Sequence, residues 1–257
     1  MEYPVGTRYK FNAKTSDKYR KYRSEACRIS QCLASEVSTL TNTERVKLFK
    51  RLDELRNKIF NLVPFNRQAF EKYADKMLNH TRNTILNDNF MTGCIINWSN
   101  IDIKTKEQFG SNLLGALDKQ YRETDATVSF SIIDITDSET IADYDWDKNI
   151  HFQKDETLLS NPNEFIGALL HEFMHYLCTK HPAKSILGPQ LSFIAAQHYL
   201  SFLGGPQTAE QLAAYKQQPF ERYSYEIQDY VKQSDFTKNL LATISMRRAK
   251  VQQTARD

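Results

Sequence analysis

His171, Glu172 and His175 fall within Phe165–His181, FIGALLHEFMHYLCTKH, as His-Glu-Phe-Met-His. On a helix, residues four apart are neighbours one turn up, ~5–6 Å apart at Cβ, so both imidazoles can reach one Zn²⁺. Glu172 lies ~60° around from His175, beside such a metal rather than on it. There its carboxylate can take a proton from a water that the metal activates.

The flanks supply the helix. Asn161-Pro162-Asn163-Glu164 reads as a cap, a proline at the first helical position and a glutamate placed for a capping box. Phe165, Leu169, Phe173 and Leu177 make one apolar stripe, and Ile166, Leu170 and Met174 run beside it, which sets His171 and His175 on the opposite edge. Gly167 and Ala168, one turn before the pair, are small enough to leave room for a substrate.

The elements needed to position this helix follow from the rest of the chain. At 257 residues, 40% hydrophobic and 25% charged, it has the composition of a globular protein able to bury a sizeable core. Neither an N-terminal apolar leader nor an 18-residue apolar run is visible, so the expected setting is a cytosol, or export without a cleaved Sec signal. Cys27, Cys32, Cys94 and Cys178 are dispersed and read as reduced thiols, with Cys178 a small buried residue near the helix end. Lys and Arg are in excess over residues 1–90, whereas Asp and Glu are in excess over residues 91–170. The basic Arg8–Arg23 segment reads as solvated helix surface, and no nucleic-acid partner is expected.

Apolar spacing predicts a helix from about Thr15 to Leu40, a second after the Thr41-Asn42-Thr43-Glu44 cap, and a third over Arg67–Leu86, where His80 reads as structural. These define an N-terminal helical subdomain, residues 1–90. In the remainder, residues 91–257, Cys94–Trp98 reads as a strand, Lys106–Arg122 as a helix, Thr127–Ile135 as a strand and Lys148–Gln153 as a short strand with Ile150 and Phe152 alternating with polar neighbours.

This order, ending in an H-E-x-x-H helix, resembles the catalytic core of the zincin metallopeptidases over about residues 92–235. The resemblance implies an α+β fold: a small twisted sheet, a backing helix, the H-E-x-x-H helix and a later glutamate helix. It also implies that a peptide substrate adds to an edge strand beside the cleft, which by position is Lys148–Gln153, with Ile150 and Phe152 in contact with substrate. A catalytic zinc ion takes a third protein ligand. Glu221, in Pro219-Phe220-Glu221-Arg222-Tyr223-Ser224, has the E-x-x-S form similar to the glutamate helix of gluzincins. His181 stands where metzincins place a third histidine, although Cys178 replaces their turn glycine, and Glu226 is a further alternative. For a donor to the oxyanion, Tyr215, Tyr223, Tyr225 and His198 all follow the motif, and Tyr223 is the residue carried forward with Glu172 as catalytic.

The resulting expectation is a zinc-dependent endopeptidase of gluzincin type, resembling small zinc proteases that bacteria deliver into host cells. A zinc amide hydrolase with a closed pocket and a metal-free interaction protein are the alternatives. The acidic stretch Asp134–Asp147 precedes the expected edge strand. Its Asp143 and Asp145, with Asp137, Glu139 and Asp147, imply a protein or peptide substrate that is basic near the cleavage site.

Overall fold

The computed structural model describes residues 12–35, 40–62, 65–122, 125, 127–134, 142–145, 148–188, 191–192, 195, 199 and 209–254. Within them the elements run α1 (Ala13–Ser35), α2 (Asn42–Phe60), α3 (Arg67–Leu86), α4 (Asn89–Ile96), a 3₁₀ turn at Trp98–Asn100, α5 (Ile103–Tyr121), β1 (Ser129–Ile133), β2 (Ala142–Tyr144) and β3 (Asn149–Gln153). They continue as α6 (Glu156–Ser160), α7 (Pro162–Lys180), α8 (Ala209–Lys216), α9 (Pro219–Gln233) and α10 (Phe236–Thr254). The fold is α+β, mostly helical around a small mixed sheet. No helix among the described residues is long and apolar enough to cross a membrane.

Short polar side chains start most of these helices by accepting an otherwise orphaned backbone N–H. Thr41 and Glu44 form a reciprocal capping box on α2. Asn66, Asp102, Asp155 and Asn161 accept in the same way at α3, α5, α6 and α7.

Cys94–Trp98 is not the strand its apolar run suggested. Asp88 accepts from Met91 N and opens α4, so Cys94, Ile95 and Ile96 continue a helix, and Trp98 follows in the 3₁₀ turn. A short apolar run carries no period of its own, and here the cap decides it.

The sheet order is β1-β3-β2, with β1 parallel and β2 antiparallel to β3. Lys148–Gln153 is therefore the central strand and not an edge. Ile150 and Phe152 are fully buried in the core, where substrate cannot touch them. Among the described residues the short antiparallel β2 is the strand edge next to α7, and Tyr144 fastens it there. The Tyr144 hydroxyl lies 2.9 Å from Thr179 Oγ1 and its ring packs edge-on against Tyr176.

Phe165 of α7 sits at the centre of an aromatic cluster. Its ring centroid is 5.0 Å from Trp98, 5.1 Å from Phe152 and 6.0 Å from Phe109, and Trp98 Nε1 donates to Leu159 O at 3.0 Å. The cluster locks α7 to α5 and to the inner face of the sheet. On α5, a Cβ built at Gly110 would fall 2.3 Å from the Phe130 ring, so only glycine lets that helix approach β1. The main core crosses residue 90, because α3 contributes Phe70, Tyr73, Met77 and Ile85 to it together with α7 and α9. Helices α1 and α2 share a smaller cluster of Ala26, Ile29, Leu52 and Leu55. Between Gly188 and α8 only Leu191, Ser192, Ala195 and Tyr199 belong to the described residues.

Phe152→Ala should lower folding stability by about 3–5 kcal/mol, the usual cost of a large cavity in a packed aromatic core. Thermal unfolding measures this, and an unchanged midpoint would return Phe152 to the surface.

Candidate metal and catalytic site

Helix α7 brings the motif residues to one place, and its packing against α9 brings the fourth. A Cβ built at Gly167 would meet Gln228 Cγ at 3.2 Å and Gln228 O at 3.4 Å. The two helices thus approach closely where the glycine lies, one turn before His171. Gly167 makes room for a neighbouring helix and not, as the sequence suggested, for a substrate. Gln228 comes seven residues after Glu221 and Gly167 four before His171, so the helices run antiparallel and Glu221 is carried back onto the histidine pair.

There the His171 and His175 Nε2 atoms are 3.2 Å apart. Glu221 Oε2 lies 3.4 Å from His171 Nε2, and Oε1 lies 3.4 Å from His175 Nε2. A tetrahedral ion bound at ~2.0–2.1 Å separates its ligand atoms by ~3.3–3.4 Å, so these three side chains already have the spacing of such a donor set. Glu221 is fully buried, and its Oε2 has no hydrogen-bond partner among the described residues. A buried carboxylate that has one oxygen without a donor, and each oxygen 3.4 Å from an imidazole nitrogen, is a place for a cation. The residues fit a divalent first-row ion. His171 Nδ1 also lacks a partner among the described residues, so the usual outer hydrogen bond of a ligating histidine is not seen there.

The charges follow from burial opposed by proximity. Burial works against the charged form of Glu221, yet the imidazoles of His175 and His171 outweigh it and hold the carboxyl well below its usual range. For His175, burial opposes the imidazolium, but the Glu221 and Glu172 carboxylates raise its pKa overall. Glu172, with Oε1 at 3.9 Å from His171 Nε2, is buried and raised, first by desolvation and further by the Glu221 and Asp143 carboxylates, while the two imidazoles pull the other way. It therefore stands close to the donor set as a carboxyl with raised proton affinity, which is what a general base near neutral pH requires.

Sequence reasoning missed Tyr199. Its hydroxyl donates to Glu221 Oε1 at 2.8 Å, and the Tyr215 hydroxyl lies 3.0 Å from it. Burial, then the Glu221 charge, pushes the pKa of both tyrosines up, so they remain protonated donors. Tyr199 precedes Glu221 by 22 residues with no periodic relation to it, and no spacing in the sequence points to the pair. On the other side, the Tyr225 ring packs edge-on against His171 at 4.7 Å, with its pKa pushed up to about 12 by burial and then by Glu221 and Glu172.

Several expected residues stand elsewhere. His181 is fully buried behind α7, where its Nε2 meets the Tyr176 hydroxyl at 2.8 Å and that hydroxyl donates to Asp118 at 2.7 Å; it is a core histidine and no ligand. Pro182 and a helix ending at Lys180 leave no glycine turn to swing it back. Glu226 points away to Arg67 at 2.7 Å. Tyr223 packs on Phe65 and Phe70, with its hydroxyl 3.5 Å from Asn66 N, which removes it from the catalytic set: three positions before Glu226 on α9, it faces α3 and not α7. Cys178 is buried, its thiol pushed up to about 12 by desolvation.

Asp145 accepts from Asn149 N at 2.9 Å and lies 3.5 Å from His151 Nε2, so it braces the β2–β3 connection and is not a free substrate contact. Asp143, half-buried on β2, retains an electrostatic hold on Glu172. His151 is on the central strand, 2.8 Å from Ser131 Oγ. His198, Asp137, Glu139 and Asp147 lie outside the described residues.

No family model, curated protein or solved structure matches this chain, so its chemistry has to be read from these side chains.

Tyr199→Phe should weaken divalent-metal affinity ~10–100-fold, the usual effect of losing a residue that orients a ligand. His181→Ala should leave affinity unchanged and lower stability by about 1–3 kcal/mol, because it strips a buried hydrogen-bond network. Competition with a metal-binding dye, run beside thermal unfolding, separates the two effects.

Proposed function

We propose that this chain is a zinc-dependent endopeptidase of the gluzincin kind, with His171, His175 and Glu221 as metal ligands and Glu172 as general base. One observation carries the reading: a buried Glu221 carboxylate from a separate helix stands 3.4 Å from both imidazoles of the H-E-x-x-H pair. Zinc held there would lower the pKa of water and polarise a carbonyl.

The protein's own groups do the rest. Glu172 accepts a proton from the attacking water and passes it to the leaving amine, and its raised proton affinity suits both transfers. Tyr199 holds Glu221 by one oxygen and leaves the other free to face the metal site. The low exposure of His171, Glu172 and Glu221 keeps bulk water from competing and strengthens each electrostatic contact.

Strand β2, clamped to α7 through Tyr144 and Thr179, offers main-chain groups along which an extended peptide can lie. Asp143 on that strand is the acidic residue within electrostatic reach of the base, so a basic segment of substrate passing β2 would be favoured there.

Glu172→Gln should retain stoichiometric zinc and lose hydrolysis by several orders of magnitude, because the ligands remain while the proton acceptor is gone. Metal analysis of both proteins, beside cleavage of a whole-proteome digest mixture, checks this. Parent protein that binds no zinc, or a variant that cleaves as well as the parent, would remove the reading.

A further inference from the structure

Helix α9 has a second face. Arg222, Tyr225, Glu226 and Asp229 recur at helical spacing, and with Phe65 and Lys216 they line a cleft of about 840 Å³ between α2, α8 and α9. Ligand-binding clefts commonly measure ~300–1,000 Å³, so this one can hold a side chain and part of a backbone. Tyr225 belongs both to the cleft and to the catalytic site, because the same ring that lines the cleft packs against His171 at 4.7 Å. One tyrosine ring therefore stands between the cleft and His171.

The cleft holds two cations, each seated on an aromatic ring. Lys216 Nζ stands 4.4 Å from the Tyr225 ring centroid, and the Arg222 guanidinium stands 4.4 Å from that of Phe65. Neither forms an ion pair among the described residues, whereas Arg67 beside them is answered by Glu226 at 2.7 Å and Glu71 at 3.2 Å. Seating on an aromatic face fixes a cation in place without cancelling its charge. Asp229 also lines the cleft, one turn further along α9 than Tyr225, and Glu226 is paired with Arg67, so the two cations leave the lining with a positive excess. A planar guanidinium and an ammonium facing one opening match a carboxylate, which the former can take in bidentate fashion.

The geometry points to a subsite for an acidic residue of the substrate, an Asp or Glu side chain two or three positions from the cleaved bond. The distance follows from an extended peptide advancing ~3.3–3.6 Å per residue past the Tyr225 ring. This rests on the peptidase reading. It also gives the substrate a polarity, acidic on the α9 side and basic along β2.

The test has two arms. In the first, zinc-loaded parent protein digests a proteome-derived peptide library. Asp and Glu should be enriched two or three positions to one side of the cuts, and Lys216→Glu/Arg222→Glu should abolish that enrichment with zinc content and unfolding temperature unchanged. Cuts with no acidic enrichment, or enrichment that survives charge reversal, overturn the subsite.

The second arm needs no turnover. A fluorescein-labelled hexapeptide alternating Glu and Ala is titrated against the Glu172→Gln protein, beside its Gln-Ala counterpart. The Glu peptide should bind about tenfold tighter, a difference of ~1.4 kcal/mol, and the double charge reversal should erase that preference. Equal binding of the two peptides overturns the subsite. Preferential binding by a protein whose parent cleaves nothing would keep the acidic-ligand cleft and discard the peptidase.

Discussion

A carboxylate taken out of water has to be answered by charge or by hydrogen bonds, and Glu221 is the residue on which that demand falls hardest. It is fully buried, at the start of a helix that packs closely on α7 beside Gly167. Its partners are two imidazoles and a tyrosine hydroxyl. Removing any of these leaves the buried charge less compensated, so the α7–α9 packing and the site depend on each other. The aromatic cluster around Phe165 then fixes α7 to the sheet, which places β2 beside the same histidines. The short sheet, the helix crossing and the charged centre form one mechanical unit.

Much of the fold was legible because local signals agreed with each other. Helix α3 begins and ends where its apolar spacing says it should, and α7 follows the Asn161 cap and Pro162 as read, while Glu164, read as a capping-box residue, pairs with Lys232 at 2.8 Å. The failures have physical reasons. In Cys94–Trp98 an apolar run too short to show a period was settled by the Asp88 cap upstream. For Lys148–Gln153 the strand was visible but its neighbours were not, because strand order is a long-range property. The parallel pairing with β1 and the antiparallel return of β2 make β3 central and bury Ile150 and Phe152.

The site divided along the same line. His171, Glu172 and His175 are spaced by one helix and could be read directly. Glu221 needed a second helix and was one of three alternatives, which the burial of His181 on Tyr176 and the pairing of Glu226 with Arg67 now separate. Tyr223 and Tyr225 are two residues apart on α9, so they face different neighbours: Tyr223, the one favoured from the sequence, packs on Phe65, and Tyr225 packs on His171. Tyr199 had no signal at all, since its role depends on a tertiary approach to Glu221.

In the proposed site one metal ion joins α7 to α9 through two histidines and a carboxylate. X-ray absorption at the zinc edge of the loaded protein tests it directly. A site of His171, His175 and Glu221 should give nitrogen and oxygen neighbours alone at ~2.0–2.1 Å, with the outer-shell pattern of two imidazoles. A sulfur neighbour at ~2.3 Å, or a first shell without imidazole, would contradict it.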